Sequence, residues 1–172
     1  MVQIVLIASA LGAGMLNALQ IALLSEIARN RGGWEATWIS MLASLAGMAI
    51  ILSLLTLSGS SIDLAQPFQS AWLYVGFAPV MAVSLIVAGN GLPSYLLLTG
   101  FTSIPYLLIA SLVGPRLGLA VFFASIVSGQ LIGSVTLDHL GAFGAVKRSI
   151  DLSRATGVAA LLIGVVLIRG RS

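Results

Sequence analysis

Charge is what this chain has least of. Only 8% of its 172 residues are Asp, Glu, Lys or Arg, against 59% hydrophobic, and a surface so poor in solvated groups cannot keep a folded chain dispersed in water. A soluble domain is excluded, and the composition is that of an integral membrane protein. Cysteine is absent, which removes disulfides and thiolate metal sites and leaves the compartment open. The single histidine, His139, cannot furnish a histidine-based metal site within one copy. No basic patch with interleaved aromatics exists, so no nucleic acid is expected as a partner. At this charge density the net charge of +3 instead marks loops that face a cytoplasm. Gly12-Ala13-Gly14 lacks a third glycine at dinucleotide spacing, and there is no HExxH, no P-loop and no intramembrane serine with a His or Lys partner. Neither enzymatic activity nor a cofactor or metal is expected.

Long apolar runs are what the chain does have. Their lengths predict an all-α, polytopic membrane helix bundle forming one integral membrane domain over 1–172, with spans at about 2–28, 34–57, 71–88, 94–113, 117–137 and 154–168. The opening MVQIVLIASALGAG has no basic n-region and too short an apolar stretch before ASA for a cleavable leader, so it reads as a retained first span. Arg29, Asn30, Arg31 and the glycine pair Gly32-Gly33 end it. Trp34 and Trp38 then stand where an aromatic belt would sit. The linker Ser58 to Ser70 carries one acid, Asp63, and no base, as suits a non-cytoplasmic loop in which Asp63 is solvated. Ala71 to Ala88 is interrupted by Gly76 and Pro79 and is barely long enough to cross, so five spans is the alternative to six. Pro105, near the middle of Ser94 to Val113, predicts a kink there. Arg169 and Arg171 read as an interfacial anchor.

The polar residues inside these runs are few enough to take one by one. In the first span Ala10, Ala13, Asn17, Gln20 and Leu24 share a helical face, and in the second Ser40, Ser44, Gly47 and Ile51 form a small-residue strip. Two amides within hydrocarbon must turn to a partner helix or a wet cavity, so Asn17 and Gln20 are candidates for a substrate pathway or for helix-helix glue. Thr99, Ser103, Tyr106 and Ala110 share a face of the fourth run, which makes Tyr106 a pathway candidate too. From Leu117 to Leu137 no residue is charged, and Ser125, Gly129, Ile132, Gly133 and Thr136 make a strip that lets another membrane helix approach closely. Gln130 points away from that strip, toward the side of Phe123 and Ser134. It is a pathway candidate or the donor of one interhelical hydrogen bond, whereas Ser125, Gly129 and Gly133 are packing candidates. Asp138 and His139, at the mouth of this helix, are candidates for a titrating or coupling pair, or for a plain interfacial helix end.

The sequence PRLG at Pro115 to Gly118, the pair Gly129-Gln130, DHLG at Asp138 to Gly141, then Arg154, Gly157 and Gly164 resemble the signature of the YdcZ-like inner-membrane exporters, within the drug/metabolite transporter superfamily. The resemblance covers roughly the last 60 residues, is weaker over Ala10 to Gly47 and is lost between about Leu57 and Gly91. It implies a small, dimerising, all-helical bacterial transporter, and its typical member resembles a five-span protein. No internal repeat of 20 to 50 residues is visible, so the chain offers one half of a transporter, to be completed by dimerisation with a second copy or a paired paralogue. The expected activity is export of an unidentified small molecule, a metabolite or drug-like amphiphile, across the bacterial inner (cytoplasmic) membrane by alternating access. The alternative is a non-transporting subunit that stabilises a partner membrane protein. A mid-depth carboxylate of the kind that exchanges protons for cations is missing, since Glu26 and Asp138 both fall at helix ends.

With six spans, Arg29, Arg31, Lys147, Arg148 and Arg154 share one side and Arg116, Arg169 and Arg171 the other, five bases against three. So small a bias gives weak orientation. The double variant Lys147→Ala, Arg148→Ala is expected to change the fraction of molecules in each orientation, read by reporter fusions at the C-terminus. A wild type locked in one orientation and indifferent to the change would contradict this.

Overall fold

The computed structural model describes residues 1–60 and 64–170. The expectations for Asp63 and Arg171 lie outside the described residues. Those described are helical and contain no strand, and six helices are long and apolar enough to cross a membrane. They are α1 (Val2–Arg31), α2 (Gly33–Leu57), α3 (Ala71–Ala88), the stretch Ser94–Leu117, α5 (Leu119–Leu140) and α6 (Leu152–Arg169). Within Ser94–Leu117 a short 3-10 turn at Ser94–Leu98 precedes α4 (Ser103–Leu117), and a second 3-10 turn lies at Ala142–Gly144. Several ends differ from the sequence reading. α1 runs through Arg29 and Arg31 before Gly32 stops it, because cations are favoured against the carbonyl end of a helix and need not break it. Leu117 closes α4 rather than opening α5, since the chain reverses at Gly118, whose φ of 78° is open to glycine at little cost.

The residues fall into two compact units, Met1–Glu26 with Pro105–Ser172, and Ile27–Ile104. The second is built on the hairpin of α2 and α3. Trp34 and Trp38 are exposed at the start of α2 and Trp72 at the start of α3, so the hairpin carries an indole at both of its ends, as a segment spanning two interfaces does. The Arg31 guanidinium lies 2.7 Å from the Glu35 carboxylate, donates to the Ala88 carbonyl at 2.9 Å and also reaches the Asn90 carbonyl. It thereby satisfies carbonyls that the end of α3 leaves open. Because Arg31 ends α1 two residues before α2 begins at Gly33, this contact brings the end of α3 back to the level at which α2 begins. α3 therefore runs back along α2, and it is one of the six helices long and apolar enough to cross.

The approach to α4 departs from the expected continuous helix. After the 3-10 turn at Ser94–Leu98 the chain is irregular until Ser103, so Pro105 lies in the first turn of α4, where its missing N–H is not needed. No kink arises at Pro105. The interruption comes earlier, where hydroxyls take over backbone carbonyls: Thr102 Oγ1 donates to Thr99 O at 2.7 Å and Ser103 Oγ to Gly100 O at 2.6 Å. Ser44 Oγ from α2 stands 3.0 Å from both Gly100 O and Ser103 Oγ. Irregular backbone at this depth is tolerated because its carbonyls find protein partners. Of the strip foreseen on α2, Ser40, Ser44 and Gly47 face this segment, while Ile51 is exposed.

The first unit packs Ala10 and Ala13 of α1 with Val113, Phe122 and Ile126 into a buried cluster. Its α6 is the most exposed of the spans. Arg169 at the end of α6 donates to Gln3 Oε1 through Nη2 at 2.8 Å and through Nε at 3.2 Å, tying that helix to the beginning of α1.

Candidate functional site

Helices α1 and α5 touch backbone to backbone. Gly14 meets the chain at Ile126, Gly129 and Gln130, and Gly129 meets it at Leu11, so closely that a β-carbon on either glycine would overlap a carbonyl oxygen. At Gly133 a β-carbon would come within 2.9 Å of the Ala18 methyl. Ser125, Gly129 and Gly133 are all buried, and Ser125 Oγ is turned onto Val121 O at 2.7 Å. Such a crossing is available only to residues without side chains, and it maximises dispersion contact where no hydrophobic drive between helices exists. Thr136, at the end of the same strip, is exposed.

Fixing Gly129 against α1 decides where its neighbour goes. One residue on, Gln130 is rotated by about 100° into a groove of about 320 Å³, where Ser134, Ala18, Ile21 and Leu161 join it from α5, α1 and α6. Gln130 stands near the middle of α5. Among the described residues its carboxamide makes no hydrogen bond, and an amide desolvated without a partner costs about 1–3 kcal/mol. Ser134 Oγ donates to Leu131 O at 3.0 Å and keeps its lone pairs for another donor.

The other pathway candidates are not gathered here. Tyr106 lines a separate groove of about 430 Å³ at the α4–α5 elbow, with Gly114, Pro115, Gly118, Phe122 and Phe123. Asn17 is half-buried and lines neither groove, and Gln20, also half-buried, has an interaction partner of its own. The elbow groove had a signal in the sequence that went unread, since PRLG supplies both the turn and two small walls while Phe122-Phe123 supplies the rings. A third groove, of about 440 Å³, lies within the other unit and is almost wholly apolar, between Met48, Leu52, Phe68 and Phe77.

Asp138 and His139 take separate partners rather than each other. The Asp138 carboxylate receives Arg154 Nη1 at 3.3 Å, while His139 Nδ1 accepts the Ile150 N–H at 3.2 Å. Between them the chain turns at Gly141, in the left-handed region at φ 62°, and returns so that the Arg148 N–H reaches Asp138 O at 2.8 Å. Asp151 then caps α6 by accepting the Arg154 N–H at 2.8 Å. DHLG and Arg154 thus form a clasp joining the end of α5 to the start of α6. Asp138 and Arg154 are partly exposed, with side chains 40% and 25% accessible, which limits such a pair to about 1 kcal/mol or less, whereas loss of an N-cap costs about 0.5–2 kcal/mol. Asp151→Ala is therefore expected to free the first turn of α6 more than Asp138→Asn does, read as faster amide hydrogen exchange at 154–157. The reverse order would place the strength of the clasp in its ion pair.

The family model described as "Putative inner membrane exporter, YdcZ" matches residues 80–167, a stretch holding the Gln130 groove's α5 and α6 walls, the elbow and the clasp. No curated protein and no solved structure matches the chain.

Proposed function

This chain belongs to the YdcZ family of inner membrane exporters, and from that premise we propose that it exports a small metabolite or drug-like amphiphile through the groove around Gln130. Membership and the six apolar helices make it a multi-pass inner membrane protein, and point to transport rather than catalysis. The observation that carries the finer reading is the Gln130 carboxamide, which stands midway along α5 in a groove otherwise aliphatic but for Ser134, without a hydrogen-bond partner among the described residues. A packing residue would be expected to have found one. Alternating access requires two opposed halves. A single chain without an internal repeat supplies one, and a second copy or a paired paralogue supplies the other.

The direct test is a compound panel. Cells expressing the chain should accumulate less of at least one apolar or amphiphilic compound than cells without it, and the chain should migrate as a dimer when cross-linked in membranes. Equal accumulation across the panel would contradict export, and a monomer would contradict the two-copy mechanism. One observation favours the reading of a non-transporting subunit. Tyr106 and Gln130 line different grooves and Asn17 lines neither, a scatter that suits helix packing against a partner protein. That reading gains if the chain co-purifies with another membrane protein whose amount falls when this chain is removed.

A further inference from the structure

Charge is excluded from the Gln130 groove over the whole depth of its walls. No charged side chain occurs between Met1 and Glu26 in α1, between Arg116 and Asp138 in α5, or between Arg154 and Arg169 in α6. The rest of the lining is aliphatic, from Ala18, Ile21, Val127, Leu131 and Leu161. A carboxylate or phosphate seated here would lose its water with no countercharge, and an ammonium would meet neither an acid nor, among the described lining, the ring face that a cation can use in its place. What the groove offers is one carboxamide that donates and accepts, and one serine oxygen whose proton is already given to Leu131 O. The fitting head group is uncharged and does both in return.

We propose that the Gln130 groove binds uncharged amphiphiles whose amide, urea or hydroxyl head meets Gln130 and Ser134 while an aliphatic body lies along α1 and α6, and that it rejects carboxylates and ammonium ions of the same size. The inference rests on the groove being the cargo site of the proposed exporter. It also accounts for a groove whose walls carry no carboxylate along their apolar lengths, because a neutral cargo needs no mid-membrane countercharge.

The test uses three probes of one length, octanamide, octanoate and octylammonium, added to the full chain in phosphatidylcholine nanodiscs at matched bilayer concentrations. The readout is the side-chain amide resonance of Gln130, identified by its loss in Gln130→Leu or, should that variant not fold, in Gln130→Met. Octanamide should move this resonance at about tenfold lower concentration than either charged probe, equivalent to about 1.4 kcal/mol. Ser134→Ala should weaken the octanamide effect while leaving the charged probes unchanged. An unmoved resonance with octanamide, or one moved as readily by octanoate or octylammonium, overturns the proposal. If a charged compound is exported while octanamide fails to bind, export stands and the cargo class falls. If octanamide binds as stated and no compound is exported, the binding class stands and the exporter reading falls.

Discussion

Gly129→Leu should abolish the folded protein, and Gly129→Ala alone should cost about 1–3 kcal/mol, the range of an overpacked core. The obstacle to a β-carbon there is the Leu11 backbone rather than a side chain that can rotate away, and Gly14 meets the backbone of α5 in the same way. α1 and α5 must separate to admit it, losing contact along Gly133 and Ala18 as well. Gly12 and Gly164 are internal controls, since a β-carbon on either meets nothing within 4 Å. Alanine at these two should be neutral or stabilising by up to about 1 kcal/mol, because glycine is the poorer helix former. Thermal unfolding in detergent, followed by circular dichroism, would rank Gly129, Gly12 and Gly164. Equal tolerance at Gly129 and Gly12 would contradict the crossing.

The second large effect is expected at Gly100→Ala, with loss of about 3 kcal/mol. Here a β-carbon would strike the backbone of α2 at Ser40 and Ser44, and would push away the segment whose Gly100 carbonyl is served by the Ser44 and Ser103 hydroxyls. Gly47→Ala is the matched comparison. Its β-carbon would meet Phe101 and Ile104 side-chain atoms at 2.8 Å, and those can turn aside, so about 1 kcal/mol is expected. The same unfolding measurement separates the pair, and a larger loss at Gly47 would place the tight contact elsewhere.

How far the sequence could be read depended on whether a feature is local to one helix. Ser125, Gly129 and Gly133 show themselves by spacing, and so does the opposite setting of Gln130, because both follow from the period of a single helix. Pro105 misled because its effect depends on where the helix begins. That start is set by Gly100 meeting α2 and by the hydroxyls of Ser44, Thr102 and Ser103, which periodicity does not record. Asp138 and His139 look like a pair because they are adjacent in the chain. Successive side chains on a helix diverge by about 100°, and they find partners in α6 (Arg154) and in the loop before it (Ile150), whose return path only the fold shows. The length of Ala71 to Ala88 sits at the lower limit for a span, so the expectation of six spans rests on its hydropathy, with five as the alternative. The Arg31 contact with Ala88 and Asn90 adds that the end of α3 lies beside the start of α2, which no local pattern records, since it joins residues 57 positions or more apart.

Efflux per inserted molecule, compared between wild type and Gln130→Leu in proteoliposomes loaded with a compound that the wild type exports, tests the exporter account most directly. Leucine keeps most of the volume and removes the amide of the groove, so insertion and thermal stability should stay within the wild-type range. The account predicts an efflux rate lower by about tenfold, the equivalent of one hydrogen bond lost to the cargo. Unchanged efflux from a normally folded Gln130→Leu protein would contradict it.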